Sequence, residues 1–410
     1  MQTHKFSSGL AALFVMLTTF SSSTLAQEEF QLHDFGARGD GLSPAGSLVF
    51  DPAGDLYGAT IGGGTYGHGT VFQLSSTSFG SWAETLLYSF SGTDGSVPAA
   101  GVVVDSSGNL YGTTQQGGAY NYGTVFELLP ASGGVWSIKI LHSFDQSAKT
   151  RDGWGPLAGL VRDSSGNLYG TTEFGGDHGA GTVFEVSPQS DGTWSEQVIH
   201  SCGVSRKDGT NSFASLILDS AGNLYGTTEY GGNKLFGTVF KLSPSSTGWT
   251  EQILYNFSYL STSGYNPNGS LIFDASGNLY STTYYGGARN VGTVFELTPT
   301  ASGEWKETVL HSFDNNQIDG TYPVANLVFD ASGNLYGTTS EGGTFNNAGV
   351  AFKLTPSGGN WTETVLHEFG ATGDGSTLPG GLIFDTDGNL YGVTGGGGAF
   401  GGGTAFKLIP

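Results

Sequence analysis

Short apolar segments separated by turn residues form a pattern that repeats along almost the whole chain. In the unit that covers residues 325–369, apolar stretches at 326–329, 335–339, 350–354 and 361–369 are separated by segments rich in Asp, Ser, Asn, Pro and Gly. No stretch of ten or more residues has the spacing of an amphipathic helix. The pattern therefore predicts an all-β protein whose repeating unit contains four short antiparallel strands.

The heptapeptide GNLYGTT, or a close variant of it, marks the repeat. Its seven copies begin at residues 54, 108, 166, 222, 277, 333 and 388, and an Asp precedes each copy by three residues. Seven units of about 55 residues nearly fill the segment from Gln27 to Pro410. Residues 27–410 are therefore predicted to form one repeat domain without linkers.

The ends of the chain indicate how the repeats close. The first three strands of a unit are apolar on both faces, so each sheet needs a neighbour on either side. A unit of this length is too long for a coil of a β-solenoid and suits a propeller blade. The last repeat stops after its third strand, at 406–408, and the missing fourth strand matches FQLHDF at 30–35. We therefore expect a seven-bladed β-propeller, closed by an N-terminal strand that completes blade 7.

Charge and the N-terminal segment narrow the functional classes. Residues 1–26 combine Lys5, a short apolar core and a small-residue site ending at Ala26, which predicts a secretory signal peptide and a secreted, periplasmic or cell-surface protein. No second apolar run of membrane-spanning length follows. The net charge of −21 argues against nucleic acid as a partner and permits glycans, cations or proteins. We expect a monomer.

The single cysteine, Cys202, cannot form an internal disulfide. It occupies a position where the sister repeats carry Phe, which favours a buried thiol in the core over a nucleophile activated by the nearby basic residues.

Candidate metal ligands recur in the loops that enter the blades. These loops share an Asp-Gly pair, with the acids at Asp40, Asp94, Asp152, Asp208, Asp319 and Asp374. One hypothesis is a ring of carboxylates near the mouth of the channel that binds Ca²⁺. The alternative is that the Asp residues only shape the turns.

A second recurring polar position lies on the fourth strand. It carries His33, Tyr88, His142, His200, Tyr255, His311 and His367. Because these residues belong to different blades, they cannot share one ion, and we expect each to form hydrogen bonds within its own blade.

Departures from the repeat indicate a possible ligand site. The entry loop 145–158 is the longest and contains Trp154, Lys149 and Arg151, and the next entry loop contains Arg206 and Lys207. A loop Trp flanked by charges can form a binding platform. Sequence drift in a tolerant loop is the alternative.

The block D-x-S/A-G-N-L-Y-G-T-T-x-x-G-G-x4-G-T-V-F-x-L-x-P resembles the bacterial GloVer tandem repeat, of the Gloeobacter/Verrucomicrobia type, and more distantly a kelch blade. The resemblance implies a secreted or surface protein and no established activity. The leading hypothesis is a non-catalytic extracellular propeller that binds a glycan, a cation or a protein, or acts as a scaffold. An enzyme, such as a polysaccharide lyase or a glycoside-cleaving enzyme, and a surface adhesin are the alternatives, because propellers host all three.

Overall fold

The computed structural model describes residues 29–78, 80–147, 151–259, 262–316 and 318–410. Within these ranges every regular element is a β-strand, which confirms the predicted all-β class. The predicted signal peptide lies outside the described residues. No helix long and apolar enough to cross a membrane occurs in the part of the chain that the structure describes.

Seven antiparallel sheets form seven blades, as the repeat predicts. The first strand, β1 (Glu29–Asp34), belongs to the last blade. Blade 1 contains β2 (Gly41–Phe50), β3 (Leu56–Gly63), β4 (Thr70–Ser76) and β5 (Trp82–Ser89). Blade 2 contains β6 (Val103–Val104), β7 (Leu110–Thr114), β8 (Thr124–Pro130) and β9 (Trp136–Ser143). Blade 3 contains β10 (Gly153–Trp154), β11 (Val161–Arg162), β12 (Leu168–Thr172), β13 (Phe174–Gly175), β14 (Thr182–Pro188) and β15 (Trp194–Ser201).

The remaining blades follow the same order. Blade 4 contains β16 (Gly209–Thr210), β17 (Ile217–Leu218), β18 (Leu224–Thr228), β19 (Tyr230–Gly231), β20 (Thr238–Ser245) and β21 (Gly248–Asn256). Blade 5 contains β22 (Gly264–Pro267), β23 (Ile272–Phe273), β24 (Leu279–Gly286), β25 (Thr293–Pro299) and β26 (Trp305–Ser312). Blade 6 contains β27 (Gly320–Thr321), β28 (Val328–Phe329), β29 (Leu335–Thr338), β30 (Glu341–Gly342), β31 (Val350–Ser357) and β32 (Asn360–Glu368). Blade 7 contains β33 (Gly375–Ser376), β34 (Ile383–Phe384), β35 (Leu390–Thr394), β36 (Gly396–Gly397) and β37 (Thr404–Leu408).

The N-terminal strand closes the ring. The sheet of blade 7 has the order β34-β35-β37-β1, and β1 pairs antiparallel with β37, with Phe30 opposite Lys407 and His33 opposite Ala405. The predicted split blade is therefore confirmed. This pairing joins the two ends of the chain in one sheet and covers a sheet edge that would otherwise be exposed.

The recurring Asp and the first half of the heptapeptide build the hairpin between the first two strands. In blade 2 the Oδ1 of Asp105 accepts backbone hydrogen bonds from Ser107 (2.8 Å) and Asn109 (3.0 Å), and Gly108 has a φ of 82°. The Tyr111 hydroxyl donates to Asp105 Oδ2 over 3.1 Å. The turn thus needs Asp as acceptor and Gly for the left-handed conformation.

The second half of the heptapeptide serves packing between strands and blades. Leu110 is fully buried, and a Cβ added to Gly112 would lie 2.6 Å from Cζ of Phe126 on the third strand. The Thr113 hydroxyl donates to the carbonyl of Ala158 in the next blade over 3.0 Å. These positions of the motif therefore have structural roles, although blades 1 and 7 replace the first Thr by Ala59 and Val393 and blade 5 replaces the second Gly by Ser281.

The hydrophobic core lies between the blades in seven sectors. One sector, for example, joins Tyr280 and Val294 of blade 5 to Leu335 and Phe352 of blade 6. In blades 1–6 a Trp near the start of the fourth strand packs on the preceding blade, as Trp194 does on Tyr111 with ring centroids 6.1 Å apart. The recurring Trp residues are thus packing elements, as predicted.

Small residues of the innermost strands line the channel. The cavity there has a volume of about 570 Å³ and is bordered by residues such as Gly46, Gly159, Ser215 and Gly380. The Ser47 hydroxyl donates to Oδ1 of Asn326 over 3.1 Å, which links blade 1 to blade 6 beside the channel.

Candidate functional site

One face of the ring carries both the loops that enter the blades and the loops between the second and third strands. At this rim a residue with a positive φ in each entry loop donates its backbone N–H to the preceding blade: Ser43, Val97, Gly155, Asn211, Asn266, Tyr322 and Thr377. Positive φ values of 55–60° are unfavourable for Val97, Tyr322 and Thr377. This conformation and its hydrogen bond are therefore the same in every blade, whereas the lengths of the loops and their side chains differ.

A continuous cluster of aromatic rings covers the rim over blades 4–6. We call it the aromatic arc; its rings are Phe236, Tyr259, Tyr265, Tyr284, Tyr285 and Tyr322. The arc begins where Phe236 stacks on Tyr259, with centroids 5.5 Å apart, and continues where Tyr265 stacks on Tyr285 over the same distance. At its far end Tyr284 stacks on Tyr322 with centroids 4.9 Å apart.

The arc is partly open to solvent. Tyr259 is 58% exposed, whereas Tyr265 is buried and its hydroxyl donates to Asn290 Oδ1 over 2.7 Å. The buried Tyr265 ring is thus held in place, whereas most of the Tyr259 side chain is accessible from solvent. The neighbouring Tyr230 is also exposed on the same rim.

Carboxylates accompany the arc. Burial raises the pKa of Glu229, and burial together with the charge of Glu229 raises the pKa of Glu173 in the preceding blade. Burial, Tyr285 and the charge of Glu341 raise the pKa of Tyr284. This part of the rim therefore combines aromatic faces with hydrogen-bonding acids.

The adjacent blade 7 lacks such side chains, whereas the junction of blades 2 and 3 carries a smaller group of three rings, Tyr122, Trp154 and Phe174. The positions of blade 7 that correspond to Tyr284 and Tyr285 are Gly395 and Gly396, and the position of Tyr322 is occupied there by Thr377. The rim side chains of blades 4–6 therefore depart from the seven-fold repeat that the backbone follows.

The predicted basic platform is only partly assembled. Trp154 stacks on Phe174 with centroids 4.3 Å apart, and Arg151 forms an exposed ion pair with Asp177 over 3.1 Å. Trp154 and Arg151 border one cavity of about 510 Å³. The exposed residues Arg206 and Lys207 do not line that cavity, and Lys149 lies outside the described residues.

The six entry-loop Asp residues lie at separate blade junctions. Five of them belong to five distinct clusters, each composed of the Asp, a His from the outer strand of the preceding blade and a Glu from the outer strand of the following blade. The clusters are His33–Asp40–Glu84, His142–Asp152–Glu196, His200–Asp208–Glu251, His311–Asp319–Glu363 and His367–Asp374–Glu29. The fourth-strand His residues therefore contact acids of the entry loop and of the next blade, and the expectation of partners within their own blade was wrong.

The clusters differ in how closely the imidazole approaches the Asp. The distance from His Nε2 to Asp Oδ2 is 3.0 Å for His33, 2.8 Å for His142 and 3.0 Å for His367. It is 3.4 Å for both His200 and His311. Three clusters thus contain a tight hydrogen bond and two are more open.

The two junctions with Tyr in place of His have also lost one carboxylate. The Tyr88 hydroxyl donates to Asp94 over 2.6 Å, and the Glu position of that junction is Ile138. The Tyr255 hydroxyl donates to Glu307 over 2.9 Å, and the Asp position is Ser263. A neutral phenol therefore accompanies one acid, whereas an imidazole accompanies two.

Burial changes the protonation of the cluster acids. Burial, followed by the charge of Asp40, raises the pKa of Glu84 to about 7. Burial and the charge of Asp152 do the same for Glu196. Glu84 and Glu196 therefore retain a proton to higher pH than an ordinary carboxyl group.

Comparison with known proteins assigns the repeat. The model of the Gloeobacter/Verrucomicrobia repeat matches residues 17–202 and 192–406. The chain belongs to this bacterial family. No curated protein matches it.

Several solved structures have a likeness to this family member. A protein from Lactobacillus plantarum has a TM-score of 0.52 and 16% identity, over 84% of this chain and 88% of its own. A luciferin-regenerating enzyme has a TM-score of 0.44 and 12% identity, over 94% and 95% of the two chains. A protein from Thermus thermophilus described as a putative oxidoreductase (glucose dehydrogenase) has a TM-score of 0.42 and 15% identity, over 93% and 100%. At 16% identity, the likeness to the Lactobacillus plantarum protein indicates the fold alone.

Sequence reasoning missed the aromatic arc, although the chain contained a signal. The segment 255–285, from the end of blade 4 into blade 5, holds six of the 18 tyrosines. Most of them depart from the family repeat, as do Ser263 and Ser281. A search for unusual positions across all seven repeats would have identified this blade.

Proposed function

We propose that this protein is a secreted, non-catalytic propeller that binds neutral glycans on the aromatic arc. The observation that carries the proposal is the break in seven-fold symmetry, because side chains needed for folding recur in most blades, whereas among the described residues the connected set of six rings is found on blades 4–6 alone and only three of its positions are aromatic at the junction of blades 2 and 3. Loops on a rigid scaffold are the usual place for binding residues.

The chemistry of the arc suits a sugar. Aromatic faces pack against the apolar C–H faces of a pyranose ring, and exposed Tyr side chains offer a large contact area at low entropic cost. Glu229 and Glu341 beside the arc can accept hydrogen bonds from sugar hydroxyls. A ladder of rings across three blades further suits an extended chain of sugars.

The charge of the protein limits the glycan. With a net charge of −21, polyanions such as uronic acid polymers and nucleic acid are repelled at low ionic strength. Neutral polysaccharides are not repelled. The predicted signal peptide at 1–26 places the protein where such polymers occur outside the cell.

A glycan array followed by calorimetry tests the proposal. We expect binding of a neutral glycan, which Tyr259→Ala weakens at least ten-fold. Tyr120→Ala is the matched control, because Tyr120 is also 58% exposed but lies on blade 2, away from the arc. Equal loss in both variants, retention in Tyr259→Ala, or cleavage of the bound glycan would contradict a binding function at the arc.

A further inference from the structure

We propose that two of the five junction clusters, His200–Asp208–Glu251 and His311–Asp319–Glu363, each bind one divalent cation of the zinc class. The other three His clusters and the two Tyr junctions are expected to bind none. This inference is independent of glycan binding at the arc.

Distances separate the two open clusters from the other three. His200 Nε2 lies 3.4 Å from Asp208 Oδ2 and 3.5 Å from Glu251 Oε1. The three ligand atoms all lie within 4.8 Å of one another, a spacing that accommodates zinc bonds of roughly 2 Å to nitrogen and oxygen. The triangle therefore has the size of a zinc site and is too wide for an optimal hydrogen bond.

The second cluster has the same shape. His311 Nε2 lies 3.4 Å from Asp319 Oδ2 and 3.8 Å from Glu363 Oε2. The two clusters lie at junctions that are not adjacent, one between blades 3 and 4 and the other between blades 5 and 6. Because their distances are nevertheless similar, we infer that both clusters bind the same kind of ligand.

Buried atoms without hydrogen-bond partners supply a second observation. The side chain of Asp208 is 2% exposed and that of Asp319 is 9% exposed; the Oδ2 of each accepts one backbone N–H, and the Oδ1 of each lacks a partner among the described residues, as does Oδ1 of Asp152 in a tight cluster. The Nε2 atoms of His200 and His311 are buried and also lack hydrogen bonds within the described structure. Orphaned buried polar atoms are costly unless something binds them, and a cation satisfies the imidazole and the carboxylates together.

The donor set selects the class of cation. One imidazole nitrogen and two carboxylate oxygens suit Zn²⁺, and two carboxylates balance its charge. Ca²⁺ and Mg²⁺ take more ligands and prefer oxygen alone. The Ca²⁺ predicted for the entry-loop Asp residues is therefore less suited to these two clusters than zinc.

A path to solvent exists at the first cluster. His200 borders a cavity of about 620 Å³, which Val204 and His178 also line. A cation can enter from this side, and solvent can complete its coordination.

The competing occupant of each cluster is a proton shared between the Asp and the Glu. Metal analysis distinguishes the two. The full secreted chain is dialysed against Zn²⁺ at pH 7.5, freed of excess metal and analysed by mass spectrometry, and Co²⁺ is titrated in parallel for its visible spectrum. We expect two equivalents of either metal and a Co²⁺ spectrum typical of low coordination number.

Variants locate the ions. Asp208→Asn and Asp319→Asn are each expected to reduce the stoichiometry from two to one, while Asp40→Asn, in a tight cluster, leaves it at two. If circular dichroism shows that an Asn variant does not fold, X-ray absorption of the zinc-loaded wild-type protein is measured instead. We then expect one imidazole nitrogen ligand together with oxygen ligands for each zinc ion. Less than 0.2 equivalents in the wild type, five equivalents, two equivalents in both Asn variants, or an absorption spectrum with no imidazole ligand would overturn the proposal.

Discussion

Trp82, at the start of β5, packs edge-on against Tyr391 of β35 with ring centroids 5.9 Å apart. The two residues lie in the first and last blades, so this contact crosses the seam where the ring closes. In the same sector Leu32 of β1 packs with Phe72 and Tyr391. The seam thus has the same kind of core as the other six junctions.

Closure by β1 predicts that apolar contacts of this strand stabilise the whole protein. Leu32→Ala is expected to lower the free energy of unfolding by about 2–5 kcal/mol, because Leu32 is buried in the sector between blades 7 and 1. Phe30→Ala on the same strand is the control; Phe30 is 41% exposed, and we expect a change of about 0.5 kcal/mol or less. Equal effects in guanidinium unfolding would refute closure by β1.

The second glycine of the heptapeptide, Gly226 in blade 4, can be tested with a pair of substitutions whose effects we expect to be coupled. Gly226→Ser should cost about 1–3 kcal/mol, because a Cβ at Gly226 would lie 2.6 Å from Cζ of Phe240. Blade 5 accommodates Ser281 at this position, where its hydroxyl donates to the carbonyl of Gly269 over 2.9 Å.

The position that corresponds to Gly269 in blade 4 is Ala214. Adding Ala214→Gly to Gly226→Ser reproduces the pair found in blade 5 and is expected to recover part of the loss. Strict additivity of the two changes in a double-mutant cycle would contradict this coupling.

The raised pKa of Glu84 predicts loss of stability with rising pH. Burial and the charge of Asp40 raise this pKa from 4.5 to about 7. Because the folded state holds the proton more tightly, its stabilising contribution is fully present below pH 4.5 and is lost as the pH rises through about 7. Glu84→Gln, which imitates the protonated acid, should reduce the decrease in melting temperature between pH 5 and pH 8.

These melts are performed with a chelator present, and Glu304→Gln at an exposed turn is the control. His33 also faces Glu84 and lowers its pKa, so the effect is smaller than burial alone would produce. An unchanged pH dependence in Glu84→Gln would exclude Glu84 as a source of it.

The burial of Cys202 predicts a thiol that does not react in the native protein. Cys202 is 2% exposed and fills the position that Phe occupies at the other junctions, as the sequence predicts. Iodoacetamide should label it only after denaturation, as measured by mass spectrometry. Rapid labelling under native conditions would show that the core at this junction opens.

The chain itself determined the all-β class, the seven repeats, the split blade and the structural role of the heptapeptide. These properties depend on local turns and on strand periodicity, and the same signals recur in each repeat of the chain. The hypothesis of a basic platform came from positions that depart from the repeat. Two of its residues, Trp154 and Arg151, border one cavity in the structure.

Only the tertiary structure decided which side chains of different blades meet. Phe236, Tyr285 and Tyr322 belong to one arc because the ring brings the loops of three blades together at one rim. His200 and Glu251 meet because two outer strands converge on the loop between them, so the His register reaches the next blade. Sequence spacing describes positions within a blade, whereas contacts between blades depend on the angle and distance at which the sheets pack, and these are set by the buried side chains of the whole ring.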